Sequence, residues 1–219
     1  MRFGRISTNR PLLSYTKIQN LYSSIIRGKR FQLAQIELNS KEYLNVGCGL
    51  NLAAGFINLD YHWYPGVDIC WDITQGFPFE NKSMVGIYTE HCLEHVSFSD
   101  CSLVLTEFRR LLVPGGMVRI VVPDTELYLD LYQRAKSGDN VTFPYPETHI
   151  MTPMMYVNRI FRNYGHLYAY DAQTLAEMLS KAGFTNIQRV GFMIGRDSRL
   201  LIDSEVRAVE SLYIEASSP

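Results

Sequence analysis

The sequence predicts an α/β fold, on three observations. Short apolar runs alternate with amphipathic stretches along most of the chain, the pattern of a parallel sheet with helices on its faces. Two glycines, Gly47 and Gly49, directly follow the first apolar run. The second run ends in a carboxylate, Asp60. A glycine turn after one strand and an acid at the tip of the next describe a nucleotide-type site, because the turn lets a ligand approach closely and the acid accepts from ribose hydroxyls.

Taken in order, residues 1–41 form a basic lead-in, with eight Lys/Arg against one acid; the rest of the chain holds thirteen against twenty-one. Met1 to Arg10 reads as a basic tail or a transit-type segment. After Pro11 the apolar residues Leu13, Ile18, Leu21, Tyr22, Ile25 and Ile26 recur at helical spacing. That helix is expected to cap the core or cover the ligand cleft, with a membrane surface as the alternative. Its charge suits an anionic partner.

From Tyr43 the pattern becomes strand and turn. Strands are expected at 43–47, 57–60, 67–71 and 84–89. A helix follows at 100–112, capped by Ser99 or Asp100, with Leu103, Val104, Phe108, Leu111 and Leu112 on its buried face. Pro114-Gly115-Gly116 should end it and turn the chain into a fifth strand at 117–122. Helices are expected at 124–136, 154–162 and 171–182, the last ended by Gly183. Strands at 184–192 and 211–216 close the chain, with loop and helix between them. Residues 137–170, rich in Tyr, Pro, Met and His, read as an acceptor-site insertion or lid.

Composition excludes some classes. At 219 residues the chain suits one domain of 42–219 behind the lead-in. No stretch approaches a membrane span. Cys48, Cys70, Cys92 and Cys101 form no CxxC pair, which predicts free thiols in a reducing cytosol, with the basic head able to touch a membrane periphery. No RNA-recognition motif is present, so a nucleic acid is not the expected partner.

The glycine turn by itself is a weak signal. A dinucleotide fingerprint needs a third glycine where Leu52 stands. Only residues 48–56 lie between the first two strands, whereas a parallel crossover usually takes a dozen or more. The first crossover helix is therefore expected to be stunted or absent, which leaves a pyrophosphate without its helix N-terminus. This favours a nucleoside ligand lacking a pyrophosphate, such as S-adenosylmethionine, over NAD.

Longer motifs narrow the reading. Residues 45–60 run Asn-x-Gly-Cys-Gly-x-Asn and then Gly-Phe-Ile-Asn-x-Asp. Leu93-Glu94-His95-Val96 follows the fourth strand, and Pro78-Phe79 precedes it. Glu107 to Gly116 reads Glu-x-x-Arg-x-Leu-x-Pro-Gly-Gly. Together these resemble the class I S-adenosylmethionine-dependent methyltransferases, in their type-11-like branch and its compact predicted members. Asn45 and Asn51 depart from the acid and third glycine usual at those places.

The resemblance implies a Rossmann-like, doubly wound, seven-stranded and mostly parallel sheet with an antiparallel C-terminal strand. It implies S-adenosyl-L-methionine as cofactor. Gly47, Cys48, Gly49 and Asn51 would form its loop, with backbone N–H groups for the methionine carboxylate. Asp60 would bridge the ribose hydroxyls, Asp72 would accept from the adenine amino group, and Ile73 would pack on the ring. Glu90 and His91 would border the methionine part. Candidate bases are His95, His149, His166 and Asp124; His166 lies in a Gly-His-x-x-x-Tyr-Asp stretch similar to one in the compact branch. The acceptor is expected to be a small molecule or a glycan. Two alternatives stand beside this. His91-Cys92-Leu93-Glu94-His95 fits an inverted zinc-peptidase motif, which needs the whole motif inside one helix; no resident metal is expected. The missing acid at Asn45 also suits a non-catalytic cofactor-binding module.

Overall fold

The computed structural model describes residues 17–35 and 41–219. The expected tail at Met1 to Arg10, and the start of the lead-in helix at Pro11 and Leu13, lie outside the described residues. The remainder of that helix is α1 (Lys17–Ile26).

Seven strands form one sheet: β1 (Tyr43–Val46), β2 (Phe56–Asp60), β3 (Ile69–Cys70), β4 (Met84–Glu90), β5 (Leu112–Pro123), β6 (Thr185–Val190) and β7 (Ser211–Ser217). Their order is β3-β2-β1-β4-β5-β7-β6. β7 runs antiparallel to both neighbours and the other pairs are parallel. The central strands are covered on both faces, so they carry near-continuous apolar runs. Leu44, Val46, Ile57, Leu59 and Ile87 are wholly buried there.

Four further helices cover the sheet and its edge: α2 (Phe98–Leu111), α3 (Thr125–Lys136), α4 (Pro153–Arg162) and α5 (Ala172–Lys181). Ser97, not Ser99 or Asp100, caps α2 by accepting from Asp100 N. Cys101, Val104, Leu105, Phe108 and Leu111 face inward, and Leu103 faces solvent. Asp124 caps α3 and Asp171 caps α5, which ends before Gly183 at φ +89°.

Three local readings change. β3 is two residues long; before it, Asp68 donates its backbone N–H to Asn58 O, while its carboxylate, not its carbonyl, accepts from Asn58 N and pairs with Lys41. β5 starts at Leu112, directly after α2, so Pro114-Gly115-Gly116 is not a turn between them. It is an irregular stretch of strand, with a register shift opposite Met84–Gly86. Gly116 lies so close to its neighbours that a Cβ there would stand 2.9 Å from Val113 O and 3.0 Å from Val85 O. Residues 195–209 contain only two 3-10 turns, Ser198–Leu200 and Glu205–Arg207. As the spacing required, the β1–β2 link contains no helix.

Two polar clusters fix the periphery. Arg119 on β5 is fully buried and forks onto Asp203 (Nε–Oδ1 2.8 Å), while its Nη1 reaches Glu215 Oε1 at 2.8 Å. It also donates to the carbonyls of Gly191 and Ile194, and so ties the β6–β7 connection to the sheet. At the other edge, α1 turns Ile26 and Ser23 inward and leaves Ile18, Leu21 and Ile25 exposed. Ser23 accepts from Trp63 N, and the Gln32 side chain both accepts from Cys70 N and donates to Ile26 O. The lead-in therefore covers the β2–β3 edge through polar contacts more than through its apolar stripe.

Candidate active site

The glycine turn sits at the C-terminal edge of β1, where ligands of such sheets bind. Gly47 has φ +66°, and a Cβ there would fall 2.4 Å from Cys92 Sγ, just beyond β4. Glycine is thus required twice over, by conformation and by contact. Gly49, at φ +50°, has open space where a side chain would be.

In place of a helix, the asparagines of the 45–60 motif hold the β1–β2 link. Asn45 Nδ2 donates to Asn51 O at 2.9 Å and to Asn58 Oδ1 at 3.0 Å. Asn58 in turn brackets Ala53 with one bond to its N–H and one to its carbonyl. Asn45 is therefore a girder where the wider family carries an acid, and its buried amide suits that role because it both donates and accepts. The backbone N–H groups of Gly47 and Cys48 donate to Leu59 O, and that of Gly49 to Asp60 Oδ2. They point to β2 rather than outward, so the expected N–H cradle for a methionine carboxylate is not formed by these three residues. The Cys48 thiol is buried against Tyr64, and burial pushes its pKa up to about 12.

Asp60 ends β2 with its side chain buried. Each oxygen takes one backbone donor, Oδ1 from His62 N at 2.8 Å and Oδ2 from Gly49 N at 2.9 Å. Burial raises the carboxyl above its usual range, against the pull of these two donors. A carboxylate so fixed still has lone pairs for two ribose hydroxyls. Asp72 lies one strand over, after β3; its Oδ1 accepts from Thr74 N and Thr74 Oγ1 and caps a 3-10 turn. Ile73 is nearly fully buried in the main core. Gly47, Gly49, Asp60 and Asp72 thus share one edge of three neighbouring strands, an arrangement that fits a nucleoside and offers no helix N-terminus to a pyrophosphate.

The end of β4 is crossed by the 201–210 segment. Glu90 accepts from Ser204 N at 3.0 Å and from Asn51 Nδ2 at 3.3 Å, so it clamps the glycine loop to that segment. His91, at φ +48°, has both ring nitrogens occupied: Arg207 donates to Nδ1 at 2.7 Å and Nε2 pairs with Ser211 Oγ at 2.8 Å. Burial first, then the Arg207 charge, keep it neutral. Ser204 and Arg207 carried no signal in the sequence, since only the fold brings them to β4.

Leu93–His95 is a single 3-10 turn entered through the left-handed residue His91. The inverted zinc-peptidase motif is therefore not inside one helix, and its first histidine is engaged by arginine. That alternative falls on geometry. Glu94 is fully buried, and its backbone carbonyl receives Leu167 N at 2.7 Å, which brings the 163–170 stretch to the β4 edge. His166 is thereby placed beside His95, ring centroids 5.0 Å apart. The other two candidate bases lie elsewhere. His149 is mostly exposed and faces Glu147 at 3.4 Å. Asp124 is committed to capping α3 and to Arg189 at 2.7 Å.

Comparison with known proteins agrees with this arrangement. A family model described as a methyltransferase domain matches residues 19–189. A search of curated proteins by sequence finds no match. Among solved structures, a SAM-dependent methyltransferase of Thermotoga maritima, described as a possible histamine N-methyltransferase, is 15% identical, with 91% of this chain and 93% of that one covered and a TM-score of 0.52. A SAM-dependent methyltransferase of Archaeoglobus fulgidus is 12% identical over 91% and 94%, with a TM-score of 0.50. A Haemonchus contortus phosphoethanolamine N-methyltransferase in complex with S-adenosyl-L-methionine is 14% identical over 88% and 53%, with a TM-score of 0.46. With the family model spanning most of its length, and a glycine turn and ribose-type acid on adjacent strands, the chain belongs to the methyltransferase-domain family: it is a class I enzyme that uses S-adenosyl-L-methionine.

Proposed function

We propose that the protein transfers a methyl group from S-adenosylmethionine to a small-molecule or glycan-type acceptor, in a cleft bordered by the C-terminal ends of β1, β2 and β4. The cofactor supplies an electrophilic methyl on a sulfonium. The chain's part is to hold the nucleoside, align the acceptor and take up its proton. Asp60 anchors the ribose side, and Asp72 and Ile73 border the adenine side. Glu90 and Asn51 keep the glycine loop closed against the 201–210 segment.

The single observation behind the acceptor assignment is the convergence of His95 and His166 at the edge where β4 meets the glycine turn. Burial lowers the pKa of both, to about 4 for His95, so both rings are neutral at physiological pH and offer lone pairs to an acceptor's proton. His149 and Asp124, exposed and capped respectively, do not share this position.

Two variants test the reading. Asp60→Ala is expected to weaken cofactor binding at least tenfold in calorimetric titration with S-adenosylhomocysteine. His166→Ala is expected to keep that affinity within about twofold and to lower methyl transfer, in a screen of small hydroxyl and sugar acceptors, by about two to four orders of magnitude, the range of a lost acid–base group. Full affinity in Asp60→Ala would remove the cofactor assignment. Undiminished transfer in both His166→Ala and His95→Ala would remove the acceptor assignment.

A further inference from the structure

The two histidines enclose a carboxylate that no other residue hydrogen-bonds. Glu94 is 1% exposed, and its oxygens have no partner beyond its own backbone N–H. Leaving such a group buried without donors is strongly unfavourable. Protonation does not resolve it, because an O–H there would equally lack an acceptor within bonding distance.

What surrounds the carboxylate is a set of ligand atoms. Glu94 Oε1 lies 3.9 Å from His95 Nε2 and 4.0 Å from His166 Nε2. The three ligand atoms all lie within 4.8 Å of one another. His166 donates Nδ1–H to Ile160 O at 2.7 Å, which fixes its tautomer and turns the Nε2 lone pair toward Glu94. Such a backbone bond on the far nitrogen is the usual support of a metal-bound histidine. His91 is also near, with Nδ1 3.6 Å from Oε1, but Arg207 occupies that nitrogen. Arg207 is the cation facing this cluster, with Glu90 and Glu210 as further nearby acids.

We infer that Glu94, His95 and His166 form a binding site for a first-row divalent cation. Two imidazoles and one carboxylate, with positions left over, are a donor set that selects such ions over all-oxygen-loving magnesium or calcium. At metal–ligand bonds of about 2.1 Å, atoms on either side of one ion are at most about 4.2 Å apart. The observed 3.9 and 4.0 Å separations from Glu94 Oε1 fall inside that limit. The ion would supply a partner for Glu94 Oε1, the oxygen that faces both imidazoles. Entry is open, since His95 keeps 41% of its side chain exposed. Binding the ion uses the Nε2 lone pairs of His95 and His166, so with it bound neither ring serves as the base. The remaining coordination positions would take an oxygen ligand, such as the hydroxyl of the methyl acceptor, made more acidic by the ion and losing its proton to water. That acceptor role rests on the proposed function, whereas the binding of the cation does not.

The test uses the full chain, stripped with a chelator and titrated with Co(II) without cofactor. One equivalent is expected to bind, giving a visible ligand-field absorption and a raised melting temperature, as for any ligand of the native state. Glu94→Gln, of nearly the same shape, and His166→Ala should each weaken Co(II) binding at least tenfold, while His149→Ala stays within twofold. If His166→Ala does not fold, Glu94→Gln alone decides. The inference is overturned if wild type shows neither absorption nor a melting shift, or if Glu94→Gln binds Co(II) as wild type does. Binding of S-adenosylhomocysteine to the same metal-free sample separates this outcome from failure of the methyltransferase site.

Discussion

Asn45 carries much of the logic of this fold at the scale of one residue. In the wider class an acid stands before the glycine turn; here an amide bonds to Asn51 O and Asn58 and stands in for a missing crossover helix. Asp60 is legible from sequence because its position at the tip of a strand follows from the chain order. Glu94 is not, since its neighbours His95 and His166 lie 71 positions apart and meet only through the Leu167–Glu94 backbone bond. Arg119 offers a test at this scale. Its substitution by Met would leave Asp203 and Glu215 buried without their counter-charge, a change of about 3–5 kcal/mol in broken buried pairs. Urea denaturation of Arg119→Met should show that loss, and a midpoint equal to wild type would refute the role given to Arg119.

Among elements, α2 explains a motif that pattern reading could only match. Glu107 accepts from Phe77 N at 3.0 Å and from Arg110 at 2.7 and 2.8 Å. Arg110 donates to the carbonyls of Phe77 and Phe79. The Glu-x-x-Arg pair therefore staples the Pro-Phe loop to α2. The hydrogen bond from Arg110 holds the Glu107 carboxyl below its usual value. A lowered native pKa contributes stability that is present above the unfolded value, near pH 4.5, and is lost as pH falls through the native one. Glu107→Gln should cost about 1–2 kcal/mol at pH 7, the scale of a charged hydrogen bond. The gap from wild type should then narrow as denaturation is repeated from pH 5 down to pH 3. A gap that stays constant across that range would show that ionisation of Glu107 contributes nothing.

On the scale of the whole molecule, two segments far apart in sequence meet over the sheet edge. The 137–170 region is anchored on α3 by Arg159, which is buried and donates to Pro144 O, Tyr145 O and Tyr128 Oη. Phe143 and Tyr156 stack beneath it at 4.3 Å. The Tyr145 hydroxyl reaches Val206 O, and Tyr128 reaches Glu210 at 2.6 Å, so this cover is pinned to the segment that carries Ser204 and Arg207. Arg159→Met is expected to speed limited proteolysis within residues 137–152 several-fold and to lower methyl transfer more than cofactor affinity. Equal protease resistance would show that the cover does not depend on this arginine. Among the described residues no helix is long and apolar enough to cross a membrane.

The sequence by itself determined the sheet, the lack of a first crossover helix, the glycine turn and the carboxylate at the tip of β2. Each of these follows from local periodicity, residue counts and strand order, which are read along the chain. It mistook the Pro-Gly-Gly stretch for a turn, because a glycine pair in an irregular strand and in a tight turn look alike in one dimension. Tertiary structure alone decided which histidines meet, that Arg207 occupies His91, and that Glu94 is stranded between imidazoles. Those contacts join residues from β4, the 163–170 stretch and the 201–210 segment, and no local preference encodes a distance between them.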